Sequence, residues 1–157
     1  MNINVIALSK VKDKHLASLI ATYFKRLQKY AKVKVVEIKE SYIPLKFNEH
    51  DINKALLEES KAILSKVKER DYVILLAPNG KTLDSVAFSE KLIKLSAKGT
   101  ITFIIGSSYG VHTTIYSRAN ETMSFSPLTF PHELFRLLLF EQLFRAFKII
   151  NNETYHK

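Results

Sequence analysis

Cysteine is missing from this 157-residue chain. Without it neither disulfides nor thiolate-bound metals are available, which fits a reducing cytosol and predicts a cytoplasmic protein. Glycine and proline are scarce, at four each, so no long linker divides the chain. There is no repeat and no low-complexity stretch, and 157 residues suit one domain with a real core. The opening Met1-Asn2-Ile3-Asn4-Val5 has no basic region followed by a long apolar one, so it is not read as a signal peptide. No long hydrophobic run is free of charge. The greasiest segment, Pro131 to about Asn151, carries Glu133, Arg136, Glu141, Gln142, Arg145 and Lys148, which a bilayer core would penalise. Five histidines, His15, His50, His112, His132 and His156, lack metal-ligand spacing, so no metal site is expected.

What the chain does have is positive charge, a net +9. It is uneven: residues 1–70 hold 15 Lys/Arg against 8 Asp/Glu, and residues 71–157 hold 9 against 7. A basic excess of this size favours polyanions, because each neutralised phosphate releases condensed counterions. The alternative is a solvated lysine-rich surface that serves solubility alone.

Hydrophobic periodicity predicts alternating strands and helices. Asn2–Leu8 and Lys34–Ile38 read as strands, and Asp13 to about Tyr30 as an amphipathic helix. Ser41–Phe47 is irregular, and Asn48 caps a helix reaching about Val67. Tyr72–Ala77 and Thr100–Ile105 are almost wholly apolar, as strands buried on both faces of a parallel sheet are. Between them a helix starts at Asp84 or Ser85 and stops near Gly99. A short helix over about Thr113–Ala119 and a last strand over Glu121–Phe125 follow. The sum is an α/β domain with a mostly parallel sheet.

The final helix is apolar around its whole circumference, through Leu134, Leu137, Leu138, Leu139, Phe140, Leu143, Phe144, Phe147 and Ile150. Such a helix must be buried on more than one side. One side can cover the sheet; the other predicts a second copy of the chain and hence a homodimer. Directly behind this helix stand Tyr155, His156 and Lys157, an unusual trio for a place where chains normally fray.

In open α/β sheets ligands bind beyond the carboxyl ends of the strands. Three segments there combine small residues with turns: Leu76 to Lys81, Gly106 to Gly110, and Phe125 to Phe130. Common nucleotide motifs fail. Gly80-Lys81-Thr82 looks like the end of a P-loop, but the required earlier glycine is Leu75. Gly106 to Gly110 is not the glycine pattern of a dinucleotide fold, so kinase, ATPase and dehydrogenase readings drop out. No serine sits in a nucleophile elbow.

Taken in order, L-x-x-x-G-K at Leu76–Lys81, I-G-x-x-x-G at Ile105–Gly110, F-S-x-x-T-F-P-H at Phe125–His132, E-Q-x-x-R-A at Glu141–Ala146 and the closing Tyr155-His156-Lys157 form one constellation. It resembles the RlmH-type ribosomal RNA large-subunit methyltransferases, small members of the SPOUT (trefoil-knotted) superfamily, over essentially the whole length. The resemblance implies a single-domain α/β knot over residues 1–157, with helices on both faces of the sheet and working as a homodimer. It implies methyl transfer from S-adenosylmethionine to a pseudouridine of large-subunit ribosomal RNA, at the ring nitrogen between the two carbonyls, in an assembled ribosome. By position, the cofactor would be held by Leu76, Gly106, Phe125, Ser126, Pro127, Leu128, Thr129 and Phe130. One departure stands out: the family commonly has two consecutive glycines after the second buried strand, and here the second is Ser107. If that position needs positive φ, serine would be strained.

Methyl transfer from a sulfonium needs alignment and removal of an imide proton, but no metal. His156 and, second to it, His132 are candidate bases. Tyr155 could stack on an extruded base. Arg136, Arg145 and Lys157 could hold phosphate or developing negative charge. The catalytic set expected is therefore His156, Tyr155 and Arg145, with Tyr155, His156, Lys157 and Arg136 on the substrate. The tail of one subunit is expected to complete the pocket of the other. The competing reading is a non-enzymatic RNA-binding or ribosome-associated protein, which would bind RNA but no cofactor. A small-molecule-binding regulatory domain, with a pocket and no RNA affinity, is the third.

Overall fold

A computed structural model describes residues 1–156. Its elements run β1 (Asn2–Leu8), α1 (Lys14–Leu27), β2 (Lys32–Ile38), α2 (Glu49–Leu64), β3 (Tyr72–Thr82), α3 (Ser85–Ser96), β4 (Thr100–Ile105), α4 (Thr113–Arg118), β5 (Glu121–Ser124) and α5 (His132–Ile150). The five strands form one sheet in the order β2-β1-β4-β3-β5, every neighbouring pair parallel. Helix starts are set by local chemistry. Asp13 and Asp84 accept the amides of Leu16 and Ala87, and Asn48 and Asp51 close a capping box.

Parallel strands need helical crossovers, and the helices divide between the two faces. Ile3, Val5, Ile74, Leu76, Ile101 and Phe103 pack under α1, α3 and α5. Ile6, Leu8, Val73, Leu75 and Ile104 point the other way, against Ile63 of α2 and Ile115 of α4. Full burial of side chains such as Phe103 and Phe140 contributes roughly 1.5–3 kcal/mol each.

Two expectations need correction. The strand ending at Ala77 in the sequence reading continues to Thr82. Both Leu76 and Lys81 pair with Met123, so the residues between them arch out of the ladder and return. Gly80 makes that return possible: an added Cβ would lie 2.5 Å from the Met123 backbone. The second correction concerns α5. Much of its all-round apolarity is satisfied inside the chain, since it lies between α1 and α3 with Leu139, Phe140, Leu143, Phe144, Ala146 and Phe147 buried in the core. Leu134, Leu137 and Leu138, with Ile149 further along, are the half-buried apolar residues of α5 outside that core. No helix among the described residues is long and apolar enough to cross a membrane.

Candidate cofactor cavity and the segment behind the last helix

The carboxyl ends of β3, β4 and β5 open into a cavity of about 480 Å³. Leu76, Ala77 and Pro78 supply one wall, Ile105 to Ser108 a second, and Ser126 with Leu128 to Phe130 a third. The three segments singled out in the sequence thus meet in space.

Each wall is held by its own short-range bonds. After β4, the Ser107 and Gly110 backbones pair in both directions, at 3.2 and 2.9 Å. The positive φ this turn demands falls on Gly110, at 88°, and not on Ser107. The serine is therefore unstrained, and its hydroxyl oxygen accepts the Tyr109 amide at 3.3 Å. Gly106 is the sterically demanding position: an added Cβ would stand 2.6 Å from Val111 Cγ1 and 2.7 Å from the Gly110 carbonyl. After β5, the Ser124 hydroxyl donates to the Ser126 carbonyl at 2.9 Å, and the Ser126 hydroxyl oxygen accepts the Leu128 amide at 3.0 Å. Serine side chains thus fix the curve of this loop as a strand ladder no longer can.

Six of the eight predicted cofactor residues, Leu76, Gly106, Ser126, Leu128, Thr129 and Phe130, line the cavity. Phe125 and Pro127 do not. The Phe125 ring turns away onto Phe135, with centroids 5.1 Å apart, and faces a neighbouring groove. Sequence reasoning missed Glu40, Tyr116 and Phe135, which also line the cavity; the second candidate base, His132, lines it as well. Its Nε2 is buried without a partner.

The donor set suits S-adenosylmethionine. Apolar walls from Leu76, Ile105 and Leu128 can flank a purine, and the Gly106 position leaves the backbone bare for close approach. The orphaned His132 Nε2 offers a hydrogen bond, and the Glu40 carboxylate can face a cation.

The start of α5 is tied to the turn behind β1. Glu133 Oε2 accepts the amides of Lys12 and Asp13, each at 3.1 Å, and these bonds hold its carboxyl below the usual range. Arg136 is buried, donating to Glu37 at 2.6 Å and to the Ser9 carbonyl at 2.7 Å. That placement commits its guanidinium inside the fold, where it ties α5 to β2 and to the end of β1.

Tyr155 is likewise engaged. Its ring meets Phe144 edge-on at 5.1 Å and lies under the Arg145 guanidinium, 4.9 Å from the centroid. Its hydroxyl donates to Glu141 Oε1 at 3.2 Å and stands 3.4 Å from the Tyr23 hydroxyl. Burial first, then those bonds, push the phenol above its ordinary pKa, so it is a donor at neutral pH and no base. Arg145 in turn grips Glu141 through Nε at 3.1 Å and Nη2 at 2.5 Å, and its pKa rises for that reason. His156 lines a groove of about 660 Å³ that shares Ser124 and Phe130 with the cavity. Lys157, the last predicted substrate contact, lies outside the described residues.

Residues 1–156 match the family described as "Predicted SPOUT methyltransferase". The chain belongs to the SPOUT methyltransferase family. Its curated relatives include ribosomal RNA large subunit methyltransferase H of Streptococcus pneumoniae strains CGSP14 and TIGR4. Each is 45% identical over 159 residues, with 100% of both chains covered. Among solved structures, a probable methylase family protein from Haemophilus influenzae Rd KW20 superposes with a TM-score of 0.55 at 14% identity, over 99% of this chain and 70% of that one. The tRNA (m1G37) methyltransferase of Aquifex aeolicus gives 0.50 at 18% identity, over 92% and 70%. At such identities these two speak for the SPOUT fold only.

Proposed function

We propose that this protein transfers a methyl group from S-adenosylmethionine to a pseudouridine of large-subunit ribosomal RNA, at the nitrogen between the two carbonyls, in the assembled ribosome. The observation that carries the reading is full-length identity of 45% to curated ribosomal RNA large subunit methyltransferases H. The cavity at the carboxyl ends of β3, β4 and β5 supports it, because its backbone-lined, partly apolar walls fit the methyl donor. Bound there, S-adenosylmethionine supplies an electrophilic methyl group.

The protein's own task is to align the acceptor nitrogen and remove the imide proton. With Tyr155 held protonated, His156 is our base: it borders a groove that shares a wall with the cavity. Arg145, anchored by Glu141, lends positive charge near the developing anion. The net charge of +9 gives long-range attraction to the phosphate backbone, and a cytoplasmic location follows from such a substrate.

We further propose a homodimer, with the stripe Leu134, Leu137 and Leu138 facing the partner and residues 155–157 of each subunit serving the other's cavity. Sedimentation at micromolar concentration should give twice the monomer mass. A mixed dimer of His156→Ala and Gly106→Ala subunits should regain turnover, because an intact tail then faces an intact cavity. Absence of recovery would place the tail at its own subunit's cavity.

The decisive experiment offers labelled S-adenosylmethionine with intact ribosomes, separated subunits and stripped RNA in parallel. Label in pseudouridine is expected with ribosomes. Binding of RNA without cofactor binding in a calorimetric titration would favour a non-enzymatic RNA-binding protein.

A further inference from the structure

The segment behind α5 is not a loose end. The helix closes in a turn in which the Asn152 amide donates to the Ile149 carbonyl at 3.0 Å and the Glu153 amide to the Lys148 carbonyl at 2.9 Å. This pattern requires a left-handed residue, and Asn152 takes it, at φ 53°. The chain is thereby turned back toward the body of the protein, where two tyrosines wait for it. The Tyr30 hydroxyl donates to Glu153 Oε2 at 3.0 Å, beside the Lys148–Glu153 ion pair. The Tyr23 hydroxyl stands 3.4 Å from that of Tyr155. Because Tyr155 gives its own proton to Glu141, Tyr23 must be the donor in that contact.

Packing does not require either hydroxyl. The Tyr23 ring meets Phe144 edge-on at 5.9 Å, and the Tyr30 ring stacks on Phe147 at 5.8 Å and 9°. Phenylalanine would make both contacts equally well. What the oxygens add is a grip on residues 153 and 155, one on each side of the turn leading to His156.

We propose that Tyr23, on α1, and Tyr30, in the turn behind it, are positioning residues for methyl transfer: their hydroxyls latch the segment 153–155 and so set where His156 stands. The inference rests on the reading of His156 as the base. Neither tyrosine is required to touch substrate or cofactor, and α1 enters the reaction only through this latch.

The test uses the full chain carrying Tyr23→Phe, Tyr30→Phe and both together. For the double variant, kcat on ribosomes is expected to fall about tenfold while the ribosome KM and the affinity for S-adenosylmethionine stay within about twofold. The Tm should fall by no more than about 8 °C, the loss expected for two exposed or half-buried hydrogen bonds, because the rings and their packing remain. Independently of activity, the His156 ring proton signal in NMR, assigned by its loss in His156→Gln, should shift toward that of an unstructured histidine. Parental kcat with an unmoved His156 signal would overturn the latch. So would a kcat loss matched by an equal loss of cofactor affinity or by a larger fall in Tm, which marks simple damage to the fold.

Deleting residues 155–157 separates the two levels. If the deletion is inactive while the double phenylalanine variant turns over normally, the latch fails and the role of the tail stands. If the deletion is fully active, the role of the tail fails and the latch with it.

Discussion

Replacing Arg136 by methionine distinguishes a structural tie from a substrate ligand. Arg136 is 2% exposed, and its guanidinium holds Glu37 and the Ser9 carbonyl. Hydrogen bonds that involve a charged group contribute roughly 1.5–3 kcal/mol each. The Glu37 bond belongs at the low end, since its side chain is 36% exposed and can rehydrate once released. The Ser9 carbonyl sits in a half-buried turn and loses its only charged partner, while methionine refills most of the volume. The net loss is therefore about 2–4 kcal/mol. With a urea slope near 2 kcal/mol/M, the unfolding midpoint should drop by about 1–2 M. Glu37→Gln, which keeps an acceptor, should shift it by less than half as much. The assay is equilibrium urea unfolding followed by far-ultraviolet circular dichroism, with turnover on ribosomes measured in parallel. An unmoved midpoint together with lost turnover would refute the argument and assign Arg136 to the substrate.

Three further outcomes are expected. Gly106→Ala places a Cβ 2.6 Å from Val111 Cγ1 and 2.7 Å from the Gly110 carbonyl, so calorimetry should show S-adenosylmethionine affinity reduced at least about tenfold. Ser107→Gly restores the double glycine usual in the family, yet it should leave that affinity within about twofold, because the left-handed residue of the turn is Gly110. Glu133 has its pKa lowered by the amides of Asp13 and Lys12, so its contribution is present above the unfolded carboxylate pKa and is lost as pH falls through the folded one. Thermal unfolding between about pH 5 and pH 3 should accordingly be less acid-sensitive in Glu133→Gln than in the parent.

The sequence is informative wherever the signal is local. Asn2–Leu8 and Thr100–Ile105 are strands over the whole spans that periodicity suggested, and Asn48 and Asp84 cap the helices they precede. The gathering of three loops at one end follows from parallel topology, which the apolar runs at Tyr72 and Thr100 imply. Partner choice between distant residues is a different matter. Nothing near Arg136 indicates that Glu37 and Ser9 will neutralise it, and nothing near Tyr155 points to Tyr23. Side-chain direction in an irregular loop also escapes periodicity: Phe125 and Ser126 are adjacent, yet one feeds an aromatic cluster and the other lines the cavity. The apolarity of α5 was legible, but burial between two of its own chain's helices and burial by a second subunit leave the same trace in sequence.

The strand order carries a consequence for how the protein comes into being. β4 inserts between β1 and β3, so Val5 pairs with Val35 early in the chain and with Phe103 much later. The first strand and its helix must wait, half-paired, for segments not yet made. The Tyr23–Tyr155 contact joins residues 132 positions apart, and that of Asp13 with Glu133 joins residues 120 apart. Contacts so distant in sequence make folding slow, with apolar strand faces exposed in the meantime. The packing of α5 between α1 and α3 joins the last element of the chain to one of its first, so it can form only after nearly all of the chain has been made.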